Sequence, residues 1–388
     1  MTQVPTSRRV VAWAFAAFIV ASWATAQPLP GTGPATLPGA APSASPGAAV
    51  GRPLTPGEQA AIAVHARNSD AIMQVPGVRA VGVGLLDDGR TPGLHVYVDR
   101  TAGRPVIASE VEGVGVRQIL TRGFVAHNGP CDESLPCHAG AYAKPVPMGV
   151  STGNINGTDA GTLGFRVHRS DDPTLVGYVT NNHVAAATAS GCPAQLHPAA
   201  LTAFNVNQCQ PGLYDSPDGT CSLSRRIGKL VQVVPIIMGT QFPNVIDAAF
   251  VQSKRGCISK SIRDIGPPAA TAAFPSLGDV VYLSGRTSGR LTNKIVTIHA
   301  TVDVSYPNQC GTARFIGQAM AEPIDSDAAS RAGDSGAPVV AQIGNVAMGI
   351  NFAGDGVLGI VTPMPLVLNG LGVQIDTAAD AAPASACL

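Results

Sequence analysis

Ser335 lies in the stretch Ala332-Gly333-Asp334-Ser335-Gly336-Ala337-Pro338, just ahead of the apolar pair Val339-Val340. Glycine tolerates backbone angles closed to other residues, so this stretch can turn sharply and lift a serine hydroxyl out of the chain. The same turn can aim the N–H groups of Gly333 and Ser335 at one point, an oxyanion hole beside a nucleophile. Alone, the stretch reads equally well as a Gly-rich hairpin, and catalysis requires a base and an orienting acid from elsewhere. His183 closes the β-rich run Gly177-Tyr178-Val179-Thr180-Asn181-Asn182-His183. Asp247 is an acid within the apolar run Asn244-Val245-Ile246-Asp247-Ala248-Ala249-Phe250-Val251. A carboxylate is costly to bury without donors, and an imidazole N–H is one. A hydroxyl, an imidazole and a carboxylate of this kind perform acyl transfer: His183 takes the Ser335 proton while Asp247 fixes the imidazole tautomer. His65, His95, His127, His138, His168, His197 and His299 have no such context.

These three residues need strands to hold them. From Gly149 onward, short β-type runs alternate with turns: Thr162–Val167, Val176–Asn181, Arg226–Val234, Val245–Val251, Asp279–Leu283, Lys294–Tyr306, Ala313–Ala321, Ala337–Ile343 and Val346–Phe352. Two such sets predict an all-β fold of two packed antiparallel barrels with a cleft between them. His183 and Asp247 fall in the first set and Ser335 in the second, so the site should straddle the cleft. Met364–Leu371 is expected as a short closing helix. Upstream, Thr55-Pro56-Gly57-Glu58 opens a helix through Gln74. Alternating strands follow around the turn Asp87-Asp88-Gly89, then a short helix over Ile107–Val111 and a strand over Val114–Leu120. This predicts a small α+β unit.

The motifs Gly161-Thr162-Leu163-Gly164, Thr180-Asn181-Asn182-His183-Val184, Gln210-Pro211-Gly212, Val245-Ile246-Asp247-Ala248-Ala249, Gly285-Arg286-Thr287-Ser288-Gly289 and Gly333-Asp334-Ser335-Gly336 carry a family likeness. Through them the chain resembles the trypsin-like (chymotrypsin-fold) serine proteases. It is most similar there to the bacterial relatives of the plant narrow-leaf trypsin-like family. The likeness runs from about Pro145 to Val373, and the order His, Asp, Ser is that of the chymotrypsin template. It implies an endopeptidase that forms an acyl-enzyme on Ser335. It also implies that Asp334 faces inward toward a cationic partner, with Arg286 and Arg331 as candidates because Leu283 stands where related enzymes often carry arginine. The base of the specificity pocket would be Ala329, with walls from Asn351, Phe352, Ala353 and Gly354. A base without a carboxylate predicts a small or apolar residue before the scissile bond. Two other readings fit the same residues: a silent binding protein on a protease scaffold, and an esterase using the same triad.

Composition bounds the partners. The 388 residues carry 25 basic and 25 acidic side chains, and charged residues make up only 13%. No basic stripe offers itself to nucleic acid, so the expected partner is a protein or peptide substrate, with no membrane partner beyond export. No cofactor is expected. His127, Cys131, Cys137 and His138 form the one metal-like cluster, but a Cys131–Cys137 disulfide explains the two cysteines more simply, so no metal is expected either. Residues 1–26 have the form of a signal peptide: Arg8-Arg9, an apolar run from Val10 to Ala21, and Ala24-Thr25-Ala26 as cleavage site. The destination would be secreted or periplasmic, where the eight cysteines would pair. Cys192, Cys209 and Cys221 are close enough to include one local bridge. Residues 27–56 are Pro/Ala/Gly-rich and read as a linker. Residues 57–126 form the α+β unit, either a propeptide or a passive accessory domain. Residues 140–375 form the protease-like domain, and 376–388 a flexible tail that Cys387 could pin. Asn156-Gly157-Thr158 matches a glycosylation sequon.

Overall fold

The structure is a computed structural model that describes residues 52–103, 105–126, 131, 137–157, 160–187, 192–195 and 206–387. The signal-peptide and cleavage-site expectations, most of the linker, His127, His197 and Thr158 of the sequon lie outside the described residues. The described chain falls within one compact unit.

The fold is β-rich, with sheets curled into half-barrels. The smaller sheet has eight strands in the order Val373–Ile375, Arg166–Arg169, Val176–Thr180, Ala249–Gln252, Arg226–Val233, Asn207–Cys209, Ser151–Asn154, Gly161–Thr162. Val167, Tyr178, Leu230 and Phe250 of these strands are buried in one core with Leu163, Phe165 and Ile258. Full burial of each large apolar side chain contributes roughly 1.5–3 kcal/mol. The larger sheet has twelve strands. Its centre is a long hairpin, Gly289–Tyr306 against Gly311–Pro323. Pro338–Ala341, which follows the Ser335 turn, pairs with Val280–Gly285 on one side and Ala347–Gly354 on the other.

The upstream unit has the helix foreseen from its capping box. Helix Pro56–Met73 starts with Thr55 accepting from the Glu58 N–H at 3.2 Å, while the Glu58 carboxylate accepts from the Thr55 N–H at 2.7 Å. Its strands do not form a separate sheet. Val78–Leu85 pairs antiparallel with Gly289–Tyr306, Ala80 facing Val302 and Gly84 facing Thr297, and so extends the larger sheet outward through Pro92–Asp99 and Val114–Thr121. Val64, Val81 and Val96 share one core with Leu283, Ile295 and Val339.

Three local expectations are corrected. Ile107–Val111 is not a helix, because Glu110-Val111 pairs with Val114-Gly115 around a positive-φ Glu112-Gly113 turn. Thr162–Val167 is two strands, Gly161–Thr162 and Arg166–Arg169. The tail after Ile375 is fastened rather than free: Cys387 is bonded to Cys257, and Asp376 and Asp380 pair with the fully buried Arg166 at 3.2 and 2.6 Å. The other disulfides are Cys131–Cys137, Cys209–Cys221 and Cys192–Cys310. The first two are the local bridges that spacing suggested.

Candidate active site

The register of two neighbouring strands brings His183 to Asp247. Val176–Thr180 pairs antiparallel with Ala249–Gln252, with Thr180 opposite Ala249. His183 follows Thr180 on the one-turn helix Asn182–Ala185, and Asp247 precedes Ala249 in the approach to its strand rather than inside it. The His183 Nδ1–H donates to Asp247 Oδ2 at 2.6 Å, and the His183 backbone N–H reaches Oδ1 at 3.3 Å. A carboxylate only accepts, so Nδ1 carries the proton in the neutral ring and Nε2 is left as acceptor. His183 Nε2 is buried with no hydrogen-bond partner among the described residues. Asn181 Nδ2 bonds the Asp247 carbonyl at 2.6 Å, which fixes the backbone beneath the carboxylate.

Ser335 reaches this neighbourhood from the other sheet. Its carbonyl accepts from the Thr162 N–H at 2.8 Å, and the Gly333 carbonyl accepts from Thr162 Oγ1 at 2.9 Å. The close packing of Gly161 shows what lies beside it: a Cβ there would meet Val184 Cγ2 at 2.4 Å and the Ser335 carbonyl at 2.8 Å. The Ser335 backbone therefore lies against the residue that follows His183. Gly336, at φ +90°, has no room for a side chain, since a Cβ would sit 2.3 Å from Thr180 Oγ1. Among the described residues neither the Gly333 nor the Ser335 N–H donates to a backbone carbonyl. The Asp334 carbonyl, turned the other way, accepts from the Ala337 N–H at 2.9 Å and Asn351 Nδ2 at 3.3 Å.

Asp334 is fully buried, as the motif implied, but its needs are met by hydrogen-bond donors around it. Oδ1 accepts the N–H groups of Thr287 and Ser288 at 2.9 and 3.0 Å, and Oδ2 accepts Ser288 Oγ at 2.6 Å and the Arg331 N–H at 2.8 Å. Several donors satisfy a buried carboxylate as a counter-ion would. Arg331 contributes its backbone N–H and reaches the cluster through Ser288 Oγ at 3.1 Å. Arg286, fully buried, clasps Asp215 through Nε at 2.7 Å and through Nη2, with its guanidinium over the Tyr214 ring. It also underlies Gly333, where a Cβ would lie 2.4 Å from its Nη1.

The residues expected to form a pocket divide. Ala329, Asn351 and Gly354 converge with Ser330 around Gly359: a Cβ at Gly359 would lie 3.1 Å from both Asn351 Oδ1 and Ser330 Oγ and 3.5 Å from the Ala329 methyl. Asn351 Oδ1 is buried without a partner among the described residues. The Phe352 ring points instead into the core, 4.9 Å from that of Phe315. Ala353 is buried in the same core cluster.

Tyr306 joins this cluster although no local pattern marked it. Its hydroxyl donates to Asp247 Oδ2 at 2.8 Å, and its ring meets His183 edge-on with centroids 5.9 Å apart. Burial, and then the Asp247 charge, push its phenol well above the usual range, so it stays a donor. The cluster suspected of metal affinity is occupied otherwise. Cys131 and Cys137 are bonded to each other, and His138 bonds the Gly149 carbonyl at 3.0 Å and Asp264 at 2.9 Å.

Residues 221–365 match the trypsin family model. Over that stretch the chain is similar to the trypsin family. That region contains Asp247 and Ser335, while His183 lies upstream of it. No curated protein matches the chain. Among solved structures, it is similar to a Nocardiopsis protease (18% identity, 60% of this chain and 99% of that one, TM-score 0.40). It is also similar to Thermobifida fusca protease A (20%, 60% and 99%, TM-score 0.39). Cellulomonas bogoriensis chymotrypsin stands at a comparable distance (20%, 60% and 99%, TM-score 0.37).

Proposed function

We propose that the chain is an exported serine endopeptidase that hydrolyses peptide bonds through an acyl-enzyme on Ser335. The observation that carries this reading is the 2.6 Å bond from His183 Nδ1 to Asp247, which leaves Nε2 as an acceptor without a partner among the described residues. In the reaction, Nε2 removes the hydroxyl proton as Ser335 Oγ attacks the scissile carbonyl. Asp247 stabilises the imidazolium, and the proton passes to the leaving amine. The N–H groups of Gly333 and Ser335 bind the oxyanion. Water then repeats the sequence against the acyl-enzyme.

The trypsin-family match supports protease chemistry, and the four disulfides support an oxidising destination, secreted or periplasmic. Ala329, Ser330 and Asn351, which converge around Gly359, are all uncharged, which favours a small or apolar residue before the scissile bond. A cleavage profile dominated by Arg or Lys would contradict that preference.

Labelling with a fluorophosphonate probe tests the reading. Wild type should be labelled and Ser335→Ala should not. A wild type that resists the probe would leave a binding protein. Turnover of casein against short-chain esters separates peptidase from esterase.

A further inference from the structure

We propose that Tyr306 is a positioning residue for the Asp247 carboxylate, held in that place by the Cys192–Cys310 disulfide. The proposal rests on the His183–Asp247–Ser335 reading above. Asp247 Oδ2 receives two donors, His183 Nδ1 at 2.6 Å and Tyr306 Oη at 2.8 Å, while Oδ1 receives the His183 N–H at 3.3 Å. The two donors on Oδ2 come from different sheets and fix the rotation of the carboxylate about its Cβ–Cγ bond. Without the phenol, one hydrogen bond to the imidazole and one long backbone contact would have to do so. Among the described residues, the titratable groups bonded to this carboxylate are His183, on the helix Asn182–Ala185, and Tyr306, at the end of Gly289–Tyr306. The phenol edge also limits the swing of the imidazole ring, at an interplanar angle of 72°.

What keeps Tyr306 there is covalent. It is the last residue of its strand, paired across the hairpin with Gly311. The intervening turn contains Cys310, whose partner Cys192 lies downstream of the His183 helix. The bridge joins the hairpin tip that carries the phenol to the segment that follows the imidazole, a loop closure across 118 residues. The Phe315 ring also packs near the phenol, with centroids 6.5 Å apart.

The test is a kinetic mutant cycle on a peptide that wild type cleaves. Tyr306→Phe removes one oxygen atom. It is expected to lower kcat about tenfold with KM within about twofold, since it disturbs the alignment of the base rather than substrate binding. Because Tyr306 acts through Asp247, Tyr306→Phe/Asp247→Asn should be no slower than Asp247→Asn alone. An independent contribution to packing would instead multiply the two losses. A Tyr306→Phe kcat within about twofold of wild type, or a multiplicative double variant, overturns the proposal. Should Tyr306→Phe fail to fold, Cys192→Ser/Cys310→Ser keeps the phenol but frees the hairpin tip. A kcat loss at unchanged KM is expected there, and full activity overturns the role of the bridge. An inactive wild type overturns the acyl-transfer reading and the role of Tyr306 with it, whereas active wild type with an unaffected Tyr306→Phe overturns only the latter.

Discussion

Thr287 Oγ1 donates to the Ala332 carbonyl oxygen at 2.6 Å. In a trans peptide the carbonyl and the following N–H point to opposite sides. Holding the Ala332 carbonyl toward Thr287 therefore turns the Gly333 N–H the other way, and the proposed mechanism assigns that N–H to the oxyanion. Thr287 is itself anchored, since its own N–H bonds Asp334 Oδ1 and its hydroxyl receives Arg286 Nη1 at 3.1 Å.

Thr287→Val keeps the shape and removes the hydroxyl. Freed of that bond, the Ala332–Gly333 peptide can rotate and withdraw its N–H from the reaction. Loss of one oxyanion donor costs on the order of 10²–10³ in kcat, and a partly populated rotation should cost about 10-fold. Thr287→Ser should restore the rate. Steady-state kinetics on the three proteins check this, and equal kcat values would refute it.

His65, on helix Pro56–Met73, is buried with Nε2 3.2 Å from the Val81 carbonyl. Desolvation lowers its pKa from about 6.5 to about 4. Between these values the unfolded chain binds the proton and the folded chain does not, so stability rises with pH across that window and is lost on acidification. The contribution is on the order of 3 kcal/mol at most. Urea unfolding from about pH 4 to about pH 7 should show wild type losing stability on acidification more steeply than His65→Gln. Parallel pH profiles would show that the imidazole does not titrate in this way.

Arg166 is fully buried, and its carboxylate partners Asp376 and Asp380 both belong to the C-terminal segment. Opening the bridge with Cys257→Ser/Cys387→Ser should cost about 2–4 kcal/mol. Truncation after Ile375 should cost a further 3–5 kcal/mol or so, because it strands a buried guanidinium. Chemical denaturation of both variants distinguishes the terms, and equal stabilities would mean that the ion pairs contribute nothing.

Gly336 and Gly219 both have positive φ, at +90° and +60°, but only Gly336 is crowded. Gly219→Ala should cost about 1–2 kcal/mol from backbone strain alone. Gly336→Ala must also displace Thr180 Oγ1 and the Thr162 carbonyl, 2.3 and 2.4 Å from the new Cβ, and should abolish probe labelling. Thermal melts and labelling of both proteins compare them.

Some of this arrangement was legible in the chain because local chemistry marks it. The capping box at Thr55 and Glu58 announced its helix, and the glycines around Ser335 announced a turn. His183 stood out because it closes a β-rich run, and Asp247 because it interrupts an apolar one. Tyr306 did not, because it lies 59 residues from Asp247 and ends an ordinary alternating strand. Its meaning comes from a hairpin length and a bridge that no local pattern encodes. The donors around Asp334 were hidden for a similar reason: three of the four are Thr287, Ser288 and Arg331 backbone N–H groups, which have no side-chain signature. Sheet continuity was equally unreadable, since alternation in Val78–Leu85 gives the buried face but not the neighbour.

That continuity has a cost if the polypeptide is ever trimmed. The stretch Thr297–Val302 is flanked by Val78–Leu85 on one side and Gly311–Pro323 on the other. Excision of everything before the Ser335-bearing half would bare one flank of this ribbon, with its main-chain donors and acceptors open to any passing strand. A shortened protein would then need a replacement neighbour, or it would find one in a second molecule.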